Sequence, residues 1–75
     1  MTVVDVHLDL RGVRCPMNYI RTKLKLDELD PGQVLEVFID EGEAVRGLPM
    51  GLQEEGHEIL ETEPASPGHR VVIRK

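Results

Sequence analysis

The chain has 75 residues, of which 40% are hydrophobic and 31% are charged, and 14 acidic against nine basic side chains give it a net charge of −5. We expect a single domain over residues 1–75, because this length leaves no room for a catalytic domain joined to a substrate domain. The acidic balance and the scattered basic residues argue against direct tight binding to nucleic acid and favour protein partners.

The cysteine and histidine content limits the chemistry further. One cysteine, Cys15, excludes an intramolecular disulfide, and the three histidines are far apart in sequence, so we expect neither a metal nor another cofactor. No apolar run is long enough to span a bilayer, and the N-terminus does not have the pattern of a signal peptide. We therefore expect a cytoplasmic protein that makes no membrane contact.

The first predicted elements are a strand and a helix. Residues 4–10 alternate between apolar and polar side chains, which is typical of a half-buried strand. Gly12 breaks this alternation in a short loop, and Cys15-Pro16 follows. Proline disfavours a helical conformation in the residue before it and suits the first helical position. We therefore expect Cys15 as the N-cap and Pro16 as the first residue of a helix that runs to about Leu29.

This predicted helix has apolar residues on two nearly opposite faces, of which only one can pack against a sheet in so small a domain. The other face is either ordinary exposed apolar surface or a patch that docks a partner beside Cys15. The first face contains Tyr19, Leu26 and Leu29, and the second contains Met17, Ile20 and Leu24.

The second half of the chain predicts a central strand, a broken helix and a hairpin. The apolar run at 34–39 is typical of a central strand that is covered on parts of both faces. Because Pro49 lies in the next segment, we expect a short turn through Arg46 and a helix that restarts at Pro49 and stops at Gly56. The last two strands, with a turn rich in proline and glycine between them, are predicted at 57–63 and 70–74.

The predicted order is therefore β-α-β-α-β-β, which belongs to the α+β class. Strands that flank a helical crossover are expected to be parallel, whereas the last two strands should form an antiparallel hairpin. The simplest architecture is a two-layer α/β sandwich, with a mixed four-stranded sheet and two helices on one face.

Cys15 is the side chain with evident chemistry. Free cysteines are often inert core residues, but a helix N-terminus and nearby cations favour the nucleophilic thiolate. Arg11 and Arg14 lie just upstream, and Gly12 allows the loop to fold tightly. No histidine close in sequence could act as a general base, and no second cysteine could resolve a disulfide. A single activated thiol of this kind suits a sulfur carrier, which holds sulfur as a persulfide and gives it to a partner.

The stretch Asp9-Leu10-Arg11-Gly12-Val13-Arg14-Cys15-Pro16 resembles the N-terminal signature of the TusA/SirA/YedF sulfur-carrier family. Later residues are similar to the family as well, namely Lys23, Pro31-Gly32, Asp40-Glu41, Arg46, Leu48-Pro49, Gly56-His57 and Ile73-Arg74-Lys75. The resemblance implies the same sandwich fold and a catalytic Cys15. It suggests supporting roles for Asp9, Arg11, Gly12, Arg14, Pro16 and Lys23.

The resemblance also implies two kinds of partner and shows two departures. The partners are a sulfur donor, which is a cysteine desulfurase or a rhodanese-like protein, and a downstream sulfur acceptor protein. Asn18 replaces the second proline of the family's Cys-Pro-x-Pro motif, and Gly47 stands where the family usually has aspartate. These departures leave the pathway open between tRNA thiolation, molybdenum-cofactor enzymes, sulfur oxidation and others.

Two other functions are alternatives to a sulfur carrier. One is a non-catalytic interaction or regulatory module of the same fold, in which Cys15 is incidental and the face with Met17, Ile20 and Leu24 binds the partner. The other is RNA binding on the open face of the sheet, which the net charge and the presence of only one Tyr and one Phe disfavour.

Overall fold

A computed structural model of the chain describes residues 3–14, 16–42 and 44–75, and for Ala44 the backbone only. The described residues form four strands and two helices in the order β-α-β-α-β-β, which confirms the predicted fold class. The elements are β1 (Val6–Asp9), α1 (Met17–Glu28), β2 (Val34–Ile39), α2 (Ala44–Glu54), β3 (Glu58–Pro64) and β4 (His69–Arg74).

The four strands form one mixed sheet in the order β1-β2-β4-β3. β1 pairs in parallel with β2, so that Val6 lies opposite Leu35, whereas β4 is antiparallel to both β2 and β3. The predicted central strand, parallel first pair and C-terminal hairpin are therefore confirmed. The pairing of β3 with β4 has an irregularity between Ile59 and Glu61.

The core lies between one face of the sheet and both helices. Alternate residues of β2 point to the same face of a strand, and Leu35, Val37 and Ile39 are all fully buried there. Leu26 of α1 and Leu52 of α2 belong to the same cluster and are also fully buried. Because each such side chain contributes about 1.5–3 kcal/mol of hydrophobic stabilisation, this layer holds the two helices against the sheet.

Helix α1 begins one residue later than predicted. Pro16 has φ −92° and ψ 3°, which lies between the helical and extended regions, so Pro16 occupies the N-cap position and Met17 is the first helical residue. The prediction of Cys15 as the N-cap lies outside the described residues. The helix buries one of its two apolar faces, which contains Leu26 and Leu29, and leaves the other exposed.

The predicted break at Pro49 is wrong, because α2 runs without interruption from Ala44 to Glu54. A proline inside a helix costs about 3 kcal/mol, since it removes one hydrogen bond and crowds the preceding turn. Leu48 and Leu52 flank Pro49 and are 2% and 0% exposed. Their burial, at about 1.5–3 kcal/mol each, offsets that cost and keeps the helix continuous.

Gly56 ends α2 as predicted. Its φ of +96° is accessible to glycine at little cost, and its N–H donates to the carbonyl of Gln53 at 3.0 Å. The N–H of His57 donates to the carbonyl of Leu52 at 3.0 Å, which completes a Schellman motif. His57 is thereby part of the helix cap, so β3 begins at Glu58, one residue later than predicted. No described helix is long and apolar enough to cross a membrane.

Candidate functional site

The loop that follows β1 is fixed to the end of β2. The N–H of Leu10 donates to the carbonyl of Phe38 at 2.7 Å, which extends the parallel pairing by one residue. The N–H of Gly12 then donates to Oδ2 of Asp40 at 2.8 Å. Gly12 has a φ of +88°, a value that favours glycine. Because parallel neighbours end at the same edge of a sheet, Asp40 is placed to hold the loop that leads to Cys15 in sequence.

Asp9 and Arg11 form a second anchor for this loop. Nε and Nη2 of Arg11 donate to the two carboxylate oxygens of Asp9 at 3.0 and 2.9 Å, and the backbone N–H of Arg11 donates to Oδ1 at 3.1 Å. These hydrogen bonds from Arg11 lower the pKa of Asp9 to about 2. The guanidinium also lies 5.0 Å from the centre of the Phe38 ring and donates to the carbonyl of Pro67 at 3.3 Å. The side chain of Arg11 is therefore held by three groups, the carboxylate of Asp9, the ring of Phe38 and the carbonyl of Pro67.

The residues on either side of Cys15 accept the first backbone hydrogen bonds of α1. The carbonyl of Arg14 accepts the N–H of Asn18 at 3.1 Å, and the carbonyl of Pro16 accepts the N–H of Ile20 at 3.0 Å. The buried amide of Asn18 accepts the N–H of Tyr19 through Oδ1 at 2.7 Å. Cys15 itself, the predicted catalytic residue, lies outside the described residues. The structure thus describes the residues on either side of Cys15 in sequence.

Lys23 takes part in a polar cluster between the two helices, which also contains Tyr19, Glu55 and His57. Its ammonium lies 3.1 Å from Nε2 of His57 and 3.4 Å from Oε2 of Glu55, and the hydroxyl of Tyr19 donates to the same Glu55 oxygen. Seven residues separate Lys23 from Pro16, which is about 10 Å along the helix axis. The structure therefore places Lys23 in the contact between α1 and α2 rather than in the loop that contains Arg11 and Gly12.

The charges of this cluster, which we call the interhelical cluster, act on one another. The hydrogen bond to Glu55, followed by burial, raises the pKa of Tyr19 to about 12. Burial, followed by the ammonium of Lys23, lowers the pKa of His57. A neutral His57 can accept a hydrogen bond from Lys23 through Nε2. Sequence analysis considered Lys23 alone, and no local signal connects it with side chains 32 and 34 residues further along the chain.

Similarity to known proteins identifies the family. The sequence model of the family described as sulfurtransferase TusA matches residues 6–75, which is nearly the whole chain. The chain belongs to the TusA family. This confirms the resemblance that the Cys-Pro signature indicates.

Two similar proteins and one similar crystal structure agree with this assignment. A candidate sulfur carrier protein of Archaeoglobus fulgidus is 50% identical over 56 residues, which are 75% of this chain and 64% of that protein. A candidate sulfur carrier protein of Thermotoga maritima is 40% identical over 60 residues, which are 80% of this chain and 76% of that protein. The crystal structure of a SirA-like protein from Desulfitobacterium hafniense matches with a TM-score of 0.82 at 28% identity, over 93% of this chain and 96% of that one.

The two departures from the TusA pattern have different structural settings. Asn18 donates its N–H to Arg14 and accepts the N–H of Tyr19, and a proline at this position could do neither. Gly47 is exposed in α2, and a Cβ added there would meet nothing within 4 Å. Local space would therefore admit a larger residue at position 47. Asn18, in contrast, replaces the rigidity of proline with hydrogen bonds that begin the helix.

The open face of the sheet carries a network of charged side chains centred on Glu36. Glu36 is only 9% exposed, and its carboxylate contacts Nδ1 of His7 at 2.6 Å and the guanidinium of Arg70. Burial would raise the pKa of Glu36, but the hydrogen bonds from Arg70 and His7 outweigh it and lower the pKa below 4.5. Arg70 also donates to Glu63 at 2.8 Å. The carboxylates on this face argue against RNA binding, which requires a basic surface.

Residues 3–14, 16–42 and 44–75 contain no group of three or more His, Cys, Asp or Glu side chains that could hold a metal ion. Asp40 is the site residue that sequence analysis missed as an anchor. The available signal was its position directly after β2, at the edge where the loop after β1 also begins.

Proposed function

We propose that this chain is a sulfur carrier that accepts sulfur as a persulfide on Cys15 and passes it to a partner protein. One observation carries the proposal. The only cysteine of a chain that belongs to the TusA family lies in a Cys-Pro pair directly before α1, which begins at Met17. A helix N-terminus stabilises a thiolate through its free N–H groups, and the thiolate is the form that attacks sulfur.

The transfer step is a displacement at sulfur. The thiolate of Cys15 attacks the outer sulfur of a donor persulfide, a new S–S bond forms on Cys15, and the S–S bond of the donor breaks. The donor leaves as a thiolate, and the proton of its terminal S–H remains on the transferred sulfur or passes to water. Electrons are conserved, so the step needs neither an oxidant nor a reductant. Delivery to the acceptor repeats the same displacement with Cys15 as the leaving thiolate.

The supporting residues divide into two roles in this proposal. Asp9, Arg11 and Gly12 position the loop, because the ion pair and the bond from Gly12 to Asp40 fix it to the ends of β1 and β2. Arg14 is exposed and next to Cys15 in sequence, so its charge is the one that favours the thiolate and the anionic persulfide.

The helix that follows Cys15 supplies the other two supporting residues. Pro16 fixes the backbone where α1 begins. Lys23 acts at a distance, through the interhelical cluster that holds α1 against α2.

The partners follow from the carrier role. The donor is a cysteine desulfurase or a rhodanese-like protein, both of which present sulfur as a persulfide, and the acceptor is a further protein downstream. The alternative, a non-catalytic interaction module with an incidental Cys15, makes a different prediction. In that case a Cys15→Ser variant would keep the full function of the protein.

Intact mass under non-reducing conditions tests the proposal. Wild type and Cys15→Ser are each incubated with glutathione persulfide, a small donor that makes the result independent of the choice of partner protein. We expect wild type to gain one sulfur atom, about 32 Da, and the variant to gain nothing. A second incubation, with a cysteine desulfurase and cysteine, tests loading from a protein. If wild type stays unmodified by both donors, or if Cys15→Ser gains the same mass, the proposal is wrong.

A further inference from the structure

The face of α1 that points away from the core is apolar in its centre. Met17, Ile20 and Leu24 are 46%, 41% and 59% exposed, although each is a large hydrophobic side chain. With 3.6 residues per turn, these three residues and Arg21 fall within an arc of about 100°, opposite the face that is buried in the core. We call this surface, together with Arg14 at its N-terminal end, the outer face of α1.

The two arginines of this face differ from most other basic side chains of the protein. Among residues 3–14, 16–42 and 44–75, no carboxylate lies within ion-pair distance of Arg14 or Arg21, in a chain whose net charge is −5. Six of the other basic side chains have a partner. The ammonium of Lys75 donates to the carbonyls of Asp27 and Leu29. The other five form the ion pairs Arg11–Asp9, Lys23–Glu55, Lys25–Glu28, Arg70–Glu36 and Arg74–Glu58. Glu28 also falls within this arc, in the last turn of α1, and pairs with Lys25 at 3.1 Å. Arg14 and Arg21 therefore give the outer face of α1 a net positive charge on an acidic protein.

We propose that the outer face of α1 docks the protein that donates sulfur, and that the matching surface of this donor is apolar in its centre and acidic at its rim. This inference rests on the proposed function. A donor that is itself a protein must bring its persulfide to Cys15, so it must cover residues next to Cys15, and the outer face begins at Arg14. Exposed apolar side chains supply the area, and the two arginines, which have no carboxylate partner among the described residues, select an acidic partner.

The same features argue against two other occupants. A second copy of this chain, paired through a two-fold axis, would place the arginines of both outer faces in one interface, and like charges repel. An anionic membrane would also attract arginines, but only three apolar residues face outwards, and Asp27 and Glu28 close the helix. Three hydrophobic side chains and two arginines form a small contact, which suits a partner that must leave after each transfer.

The test compares a protein donor with a small donor in the same variants. Arg21→Glu and Ile20→Ser change the outer face and leave Arg14, which is next to Cys15 in sequence, unchanged. The control Arg74→Glu makes the same charge change on the open face of the sheet, and Val3→Ser removes an exposed hydrophobic residue elsewhere. Each protein is loaded either by glutathione persulfide or by the cysteine desulfurases and rhodanese-like proteins of the source organism.

We expect Arg21→Glu to lower the rate of loading from the protein donor about tenfold at low salt, and wild-type loading to slow as salt increases. The rate of loading from glutathione persulfide should stay within about twofold of the wild-type rate in all variants. Both controls should load at the wild-type rate from either donor. Normal loading of Arg21→Glu and Ile20→Ser from the protein donor would overturn the inference. So would an equal loss in Arg74→Glu, or a wild type that only glutathione persulfide loads.

Two further outcomes separate the possible failures. If wild type binds vesicles of phosphatidylglycerol and phosphatidylcholine and Arg21→Glu does not, the outer face is a membrane surface and the inference is wrong. If neither glutathione persulfide nor any of the protein donors loads wild type, the proposed function fails as well, independently of how any partner docks.

Discussion

Replacing Asn18 with proline would restore the family's Cys-Pro-x-Pro spacing in this chain, and we expect it to make the protein less stable. The buried side chain of Asn18 accepts the N–H of Tyr19 at 2.7 Å, and its own N–H donates to the carbonyl of Arg14 at 3.1 Å. Proline has neither group. Asn18→Ala separates the two contributions, because alanine keeps the backbone N–H and loses only the amide.

The size of the effect follows from these two hydrogen bonds. Loss of a side chain that satisfies an N–H in the first turn of a helix costs about 1 kcal/mol, so we expect about that for Asn18→Ala. Asn18→Pro also loses the bond to Arg14, at about 0.5–1.5 kcal/mol, and regains about 0.4–1 kcal/mol because proline restricts the unfolded chain. Asn18→Ala should therefore be about 1 kcal/mol less stable than wild type, and Asn18→Pro about 0.5–2 kcal/mol less stable. For a domain of this size, 1 kcal/mol lowers Tm by roughly 4–8 °C.

Urea unfolding measures this loss of stability, with far-ultraviolet circular dichroism and tyrosine fluorescence as the two signals. The chain has one tyrosine and no tryptophan, so the fluorescence reports on Tyr19, directly beside the substitution. Gln53→Ala, at an exposed position in α2, is the matched control and should unfold near the wild-type urea concentration. An Asn18→Pro variant as stable as wild type would show that the observed hydrogen bonds do not hold the first turn.

Three further predictions concern side chains outside the loop. Glu36 has a lowered pKa in the fold, so its ion pairs stabilise the protein above about pH 4.5 and are lost as the pH falls through the folded-state pKa. Glu36→Gln should therefore weaken the acid dependence of the urea midpoint between about pH 7 and about pH 3. Gly51→Ala would place a Cβ 2.8 Å from the ring of Tyr19 and should destabilise the protein by about 1–3 kcal/mol in the same urea assay. Glu55→Gln should lower the pKa of Tyr19 from about 12 towards 10.0, which ultraviolet titration of the single tyrosine would show; an unchanged value would contradict the contact.

Local sequence patterns predicted the strands well because each strand has a distinct apolar pattern. The run at 34–39 coincides with β2, since a nearly continuous apolar segment of this length, rich in β-branched residues, is typical of a covered strand. The predicted break at Pro49 was wrong for the opposite reason. A local rule about proline does not include the burial of Leu48 and Leu52, which is decided by the sheet beneath them.

The candidate site could be predicted only where its residues are close in sequence. Cys15, Arg14 and Pro16 follow from the Cys-Pro pair and from the helix after it. The bond from Gly12 to Asp40 joins residues 28 apart, and it depends on the pairing of β1 with β2, which no local pattern contains. The contact of Lys23 with His57 depends in the same way on how the two helices pack.

The two anchors of the loop have a consequence for the charge near the thiol. Asp9 ends β1 and Asp40 follows β2, so two carboxylates lie at neighbouring strand ends, where they would oppose an anionic sulfur. Asp9 is neutralised by Arg11, and Asp40 accepts the N–H of Gly12. The carboxylates that hold the loop are thus engaged by the loop itself, whereas Arg14 has no carboxylate partner among the described residues. A loop built in this way keeps its anchors and still presents a positive charge next to Cys15 in sequence, which is what the proposed transfer of an anionic persulfide requires.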